Sequence, residues 1–489
     1  MPRQATFWAT TRRWLFGSAT TRRDGRRRCD PHPGDSILNP DRCFDPDPSV
    51  RRVARALYEE TRGLPIVSPH GHVDARLLAE DAPFAEPASL IVQPDHYILR
   101  LLYANGVPLE ALLKGEPQRV WQLFGDHYHL FRGTPSGAWF DYELHEVFGV
   151  AERLTRETAA RVYDEIVEKL AAPEFRPRAL FERFNIEVLA TTDAATDSLE
   201  HHSAIRESGW KGRVIPTFRP DALFRIASPE WPAAVERLSD IRNCRAFVHA
   251  LADRRKFFKQ LGATATDHGV LDPHTFRLSE EEAERLFQKA YRREVSPEDE
   301  RRFTAHMLME MARLSLEDDL VMQIHPGALR DYNTKVFERF GRDMGGDIPV
   351  ATEFTRNLRS LLNAYGNDPR FTLVVFTLDE STYSRELAPL AGHYPALRLG
   401  APWWFHDSME GMRRFRERTT ETASIYKTAG FTDDTRAFCS IPARHDLARR
   451  MDANYLAGLV ARHVIDETDA RSMARAMAYD LAKVTYRIP

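Results

Sequence analysis

Short apolar, β-branched runs alternate with longer amphipathic ones along this chain, and their order predicts a fold. Eight runs read as buried strands: residues 65–68, 186–191, 213–218, 263–266, 320–324, 371–376, 397–400 and 425–431. Between most of them the apolar spacing is that of a helix with one buried face, as at residues 280–292 and 303–314. Parallel strands returned by helices predict an α/β protein, a (β/α)8 barrel of the TIM type. The gap between the first and second runs is far longer than one crossover helix needs. Helical periodicity at residues 88–112, 120–131 and 151–170 predicts a mostly helical insertion over about residues 85–180, covering one mouth of the barrel.

In such a barrel the groups at the C-terminal ends of the strands converge, however distant in sequence. The first run, Leu64-Pro65-Ile66-Val67-Ser68-Pro69, ends in His70-Gly71-His72. Side chains two apart on a strand share a side, so both imidazoles aim at one spot, with Gly71 leaving the backbone room to bend. The later runs end in Thr192-Asp193, Arg219-Pro220-Asp221, Asp267-His268-Gly269, His325, Asp379, Trp403-Trp404 and Asp433-Asp434-Thr435-Arg436. A carboxylate of the last strand beside the two histidines makes a mixed nitrogen and oxygen site with open positions, suited to catalytic Zn2+ or Mn2+. Asp434 also reads as a helix cap, which is compatible with ligation. His325 reads either as a further metal contact or as a hydrogen-bonded core residue. Arg219, Arg330 and Arg436 all follow strands, and their planar forks suit a carboxylate or phosphate, so an anionic substrate is expected.

Composition narrows the class of protein. At 43% apolar and 28% charged residues the chain reads as a soluble globular enzyme with a full-sized core. Cys29, Cys43, Cys244 and Cys439 form no Cys-x-x-Cys pair, which argues against a zinc ribbon or a disulfide scaffold and fits a reducing cytoplasm. No apolar stretch is long enough to span a bilayer. No Walker loop or Gly-x-Gly-x-x-Gly turn is present, so no nucleotide cofactor is expected. The net charge of −3 hides an asymmetry: residues 1–28 hold eight arginines against Asp24, contributing +7 and leaving −10 for the rest. Residues 1–36 are expected to be a disordered extension, with the folded barrel at 37–489. Arg12-Arg13 hints at a twin-arginine signal, but more arginine follows where an apolar segment should stand, so export is not expected. Neither nucleic acid nor membrane is an expected partner, and assembly into a homo-oligomer is left open.

At this point the residues resemble the uronate (glucuronate) isomerase family of the amidohydrolase superfamily, from about Phe44 onwards. The matching segments are Pro69 to His72, Asp95-His96-Tyr97, Thr191 to Asp193 and Phe218 to Asp221. Further matches are Asp267 to Gly269, Gln323 to Gly327 with Arg330 and Asn333, Trp403-Trp404-Phe405, and Asp434 to Arg436 followed by Arg444-His445. The resemblance implies a divalent metal on His70, His72 and Asp434, and substrate handling by His96, Tyr97, Arg436 and the paired tryptophans, of which Trp403 is the one singled out. It implies interconversion of D-glucuronate with D-fructuronate, and of D-galacturonate with D-tagaturonate, through an enediol. In that chemistry Asp434 would move the carbon proton, Tyr97 would shuttle the oxygen proton, His96 would orient the substrate, and Arg219, Arg330 and His325 would join the arginine at its side in binding it. One loop departs from the family pattern: residues 133–141 keep Trp139 but lose polar groups. A metal-dependent hydrolase on the same scaffold is the alternative, although no strand end carries the lysine that a two-metal site would use.

Overall fold

The computed structural model describes residues 38–489, and the extension expected at residues 1–36 lies outside them. The parallel strands are β1 (Ile66–Ser68), β2 (Ile186–Ala190), β3 (Asp193–Ala194), β4 (Val214–Ile215), β5 (Phe218–Arg219), β6 (Ala265–Val270) and β7 (Val321–Pro326). An antiparallel hairpin follows, β8 (Ala328–Leu329) with β9 (Ile348–Pro349), and then β10 (Leu373–Val375) and β11 (Leu397–Leu399) rejoin the parallel array. β2 and β3 form one kinked stave, and β4 and β5 another. Across both kinks Thr191 N–H donates to Ile215 O at 2.9 Å and Thr217 N–H to Thr191 O at 3.1 Å, so the ladder continues. A last stave bridges Leu399 at Thr428, and His72 N–H closes the ring by donating to Thr435 O at 2.9 Å. The expected closed α/β barrel is thereby formed.

The last stave differs from its prediction. Only Thr428 pairs, because Ile425–Lys427 is a 3₁₀ turn and Gly430 takes φ +80°. A Cβ at Gly430 would lie 2.7 Å from Ala482 N, so close packing against the C-terminal helix Leu481–Thr485 sets this segment's path. The predicted fourth and fifth strands also run on further than expected. Asp267 and His268 stand within β6 and His325 within β7, not after them.

Val67, Val188, Ile215, Ala265, Val321 and Val374 fill the barrel. Tyr486 closes its N-terminal end, donating to Gln323 Oε1 at 2.9 Å, while Arg487 donates to Asp319 O at 2.6 Å just before β7. Between β1 and β2 lie helices that include His96–Ala104, Pro117–Asp126, Pro135–Tyr142 and Ala159–Leu170. They bury their own core around Trp121, Phe124, Phe131 and Phe140, each such side chain contributing about 1.5–3 kcal/mol. Tyr97 and Trp139 belong instead to a cluster with Phe431 and Met412, which fastens these helices to the barrel mouth. No described helix is long and apolar enough to cross a membrane.

Candidate active site

Pro69 has no N–H with which to continue the ladder, so β1 stops and His70 and His72 stand just beyond it. Their Nε2 atoms lie 3.5 and 3.2 Å from Asp434 Oδ1. The two rings are 5.3 Å apart and inclined at 85°, and because both residues lie beyond β1, strand alternation is not what aims them. The bond from His72 N–H to Thr435 O across the seam brings them to Asp434. Gly71 does not supply essential room either, since a Cβ there would meet Ala190 O and Asp433 Oδ1 at an ordinary 3.5 Å.

Three ligand atoms, two imidazole nitrogens and one carboxylate oxygen, thus face one another within 4.8 Å, and Asp434 Oδ1 is buried without a hydrogen-bond partner among the described residues. Lone pairs so arranged need a proton or a cation between them, and this donor set fits a divalent metal. Asp434 also takes φ +40°, a left-handed conformation that Asp tolerates better than most residues. Burial opposes its charge, but His70 and then His72 outweigh that and hold its carboxyl well below the usual range. Burial pushes His72 down to about 4 despite Asp434, leaving a neutral imidazole that can ligate.

Behind these ligands lies a second buried pair. His325 Nδ1 stands 2.5 Å from Asp267 Oδ1, and Arg219 Nη1 lies 3.3 Å from Asp267 Oδ2 while its Nε donates to Asp221 Oδ2 at 2.7 Å. His325 stacks on His70 at 4.6 Å, and its Nε2 has no partner. Its ligand atoms group with His70 and Asp267, not with His72 and Asp434.

A cleft of about 330 Å³ opens on this center, lined among others by His72, Asp95, His96, Trp404, Asp434, Arg436 and Arg444. A neighboring cavity of about 280 Å³ shares His96 and Trp404 and adds Arg100, Asp343 and Asp347. The excursion from β8 to β9 supplies two of those carboxylates. Arg436 Nη2 pairs with Asp343 at 3.1 Å, and Arg330 Nη1 with Asp347 at 2.7 Å, its guanidinium 4.7 Å over Trp404. Trp403 is only 4% exposed, edge-on to His325 at 4.7 Å, so Trp404 and not Trp403 faces the cleft.

His96 and Tyr97 begin a helix that Asp95 caps, its carboxylate accepting Tyr97 N–H at 2.7 Å. His96 lines the cleft, whereas Tyr97, at 7% exposure, is not among its lining residues. Tyr97 Oη donates to Asp407 Oδ1 at 2.8 Å and accepts Phe405 N–H at 2.9 Å. Arg444 Nη1 donates to Asp407 Oδ2 at 3.1 Å and lies over the Trp139 ring at 3.7 Å. Strand-end reasoning missed Asp407 and Arg444. Asp407 lies in the segment opened by Trp403-Trp404, but Arg444 sits in a helix buried on most sides, Ile441–Ala461, where no amphipathic pattern marks it.

The chain is similar over most of its length to known proteins. The family model for glucuronate isomerase matches residues 49–486. A uronate isomerase of Rhizorhabdus wittichii is 55% identical over 459 residues, covering 92% of this chain and 98% of that protein. The crystal structure of glucuronate isomerase from Caulobacter crescentus superposes with a TM-score of 0.91 at 49% identity, covering 92% of this chain and 97% of that one. The uronate isomerase structure from Thermotoga maritima gives 0.88 at 28% identity, covering 92% and 100%. A match over nearly the whole length, on the barrel and the helices above its mouth alike, favors isomerase over hydrolase, and the chain belongs to the glucuronate isomerase family.

Proposed function

We propose that this cleft interconverts hexuronate aldoses and ketoses, D-glucuronate with D-fructuronate and D-galacturonate with D-tagaturonate, by proton transfer through an enediol. The observation that carries the reading is a half-buried carboxylate, Asp434, facing two imidazoles in a cleft whose wall also holds Arg436 and Arg444. The reaction needs no redox or nucleotide cofactor. One proton leaves C2 and arrives at C1, while another passes between the two oxygens.

Asp434 takes the carbon proton and returns it. Arg436 on the cleft wall and Arg330 over Trp404 bind the substrate carboxylate, with Arg219 set deeper, beside Asp267. Burial lowers the pKa of His96, so it meets the substrate as a neutral ring that can accept and donate. Tyr97 relays the oxygen proton. His325 and Trp403 pack against each other behind the site and act on the substrate only by holding His70 and Trp404 in place. His70, His72 and Asp434 would hold a divalent cation, Zn2+ on this donor set with Mn2+ as the nearest substitute. Bound there, it would supply Lewis-acid polarization of substrate oxygens. Cys43, Cys244 and Cys439, which form no disulfide among the described residues, fit a cytoplasmic location.

The test is to incubate the protein with glucuronate or galacturonate, with and without Zn2+ or Mn2+, and to follow ketose by NMR. Asp434→Asn should fold normally yet lose about a thousandfold in turnover, within the range for a missing general base. Full activity in that variant would end the role given to Asp434.

A further inference from the structure

A phenol has one hydrogen to donate and two lone pairs to accept with, and at Tyr97 most of that capacity is already used. Phe405 N–H occupies one lone pair at 2.9 Å, and the hydroxyl hydrogen goes to Asp407 Oδ1 at 2.8 Å. While Asp407 is ionized, Tyr97 can accept a proton from a substrate oxygen but has none free to give. With Asp407 protonated the same bond reverses: the carboxyl donates to Oη, and the phenolic hydrogen is released to turn elsewhere. A relay through Tyr97 can therefore run in both directions only if Asp407 changes protonation with it.

The surroundings of Asp407 permit that change. The residue is 8% exposed, and burial pushes its carboxyl up to about 6, against the opposing pull of Arg444 and the hydrogen bond from Tyr97. Arg444 bonds Asp407 Oδ2, leaving Oδ1 to face the phenol. Arg444 Nη1 also donates to Asp433 O at 3.3 Å, next to the Asp434 ligand. Arg444 thus ties Asp407 to the segment that carries Asp434.

We propose that Asp407 is the proton store behind Tyr97, a residue that acts on the substrate only through the phenol. The inference rests on the reading of Tyr97 as the oxygen-proton relay. When the C2–H proton is removed, Asp407 gives its proton to Tyr97 Oη as Tyr97 gives its own to O1, and the enediol forms. When C1 is protonated, O2–H passes its proton to Tyr97 and Tyr97 passes one back to Asp407, so that C2=O forms and both residues return to their starting state.

Turnover, KM and melting temperature of the metal-supplemented full chain on D-glucuronate test this, for Asp407→Asn, Tyr97→Phe and the double variant. Asp407→Asn keeps the size and an acceptor but carries no titratable proton. Its kcat should fall about a hundredfold or more, with KM within about threefold. The double variant should be no slower than the slower single one, as for two groups in one relay. A kcat of Asp407→Asn within about threefold of the parent, or losses that multiply in the double variant, would overturn the proposal. If Tyr97→Phe itself keeps full turnover, the reading of Tyr97 fails first and the store fails with it. Should Asp407→Asn melt too low to assay, the size-matched pair Asp407→Glu and Asp407→Gln makes the same comparison. Glu should then turn over at least about ten times faster than Gln, and equal rates would reduce Asp407 to a structural clamp.

Discussion

Replacing Tyr97 by Phe removes one oxygen but leaves two groups without their partner, Phe405 N–H and Asp407 Oδ1. Buried polar groups so stranded cost about 1–3 kcal/mol, so the variant should unfold at lower urea as well as turn over about a hundredfold more slowly. A variant that loses only stability would make Tyr97 a strut. Glu143 tests burial of a carboxyl: the residue is 1% exposed, and burial pushes it from 4.5 up to about 8 against the opposing pull of Ser440. The folded state therefore keeps a proton that the unfolded chain releases near 4.5, and the stability this confers is complete below that pH and lost as pH rises towards 8. Glu143→Gln escapes the loss. Its melting temperature relative to the parent should rise between pH 4.5 and 8, and a constant difference would refute the assignment.

At the scale of elements, the excursion between β8 and β9 sets carboxylates against the arginines proposed to bind substrate. Asp343 and Arg436 are 46% and 34% exposed, so their pair adds little stability and can give way to an incoming carboxylate. Asp343→Asn should lower KM for hexuronate about threefold to tenfold with kcat unchanged, read from initial rates; an unchanged KM would show that no such competition exists. This excursion was not legible in the sequence, because two-residue strands have no period to detect. The barrel was legible because most of its staves are continuous apolar runs buried on both faces. The metal-type residues were legible for a related reason: polar side chains at the ends of apolar runs, as at His70 and Asp434, stand out. Asp95-His96-Tyr97 has no such contrast, reading as an ordinary capped helix start, and only the family resemblance pointed to it. Arg444 likewise stood out only through the family resemblance, because the buried charges Arg449, Arg450 and Asp452 of its own helix give it no contrast.

At the scale of the whole molecule, the bond from His72 to Thr435 joins the first stave of the barrel to the last. His72 and Asp434 meet only across that seam, and everything between them in sequence must be in place first. Partly folded chains of this size commonly hold native-like helices before their long-range contacts form. Refolding followed by far-ultraviolet circular dichroism should therefore recover most of its signal before any uronate is turned over, whereas simultaneous recovery would show that the ring closes early. An enzyme built in this way carries its own inspection step, since a chain that has not completed its circle has no place at which to act.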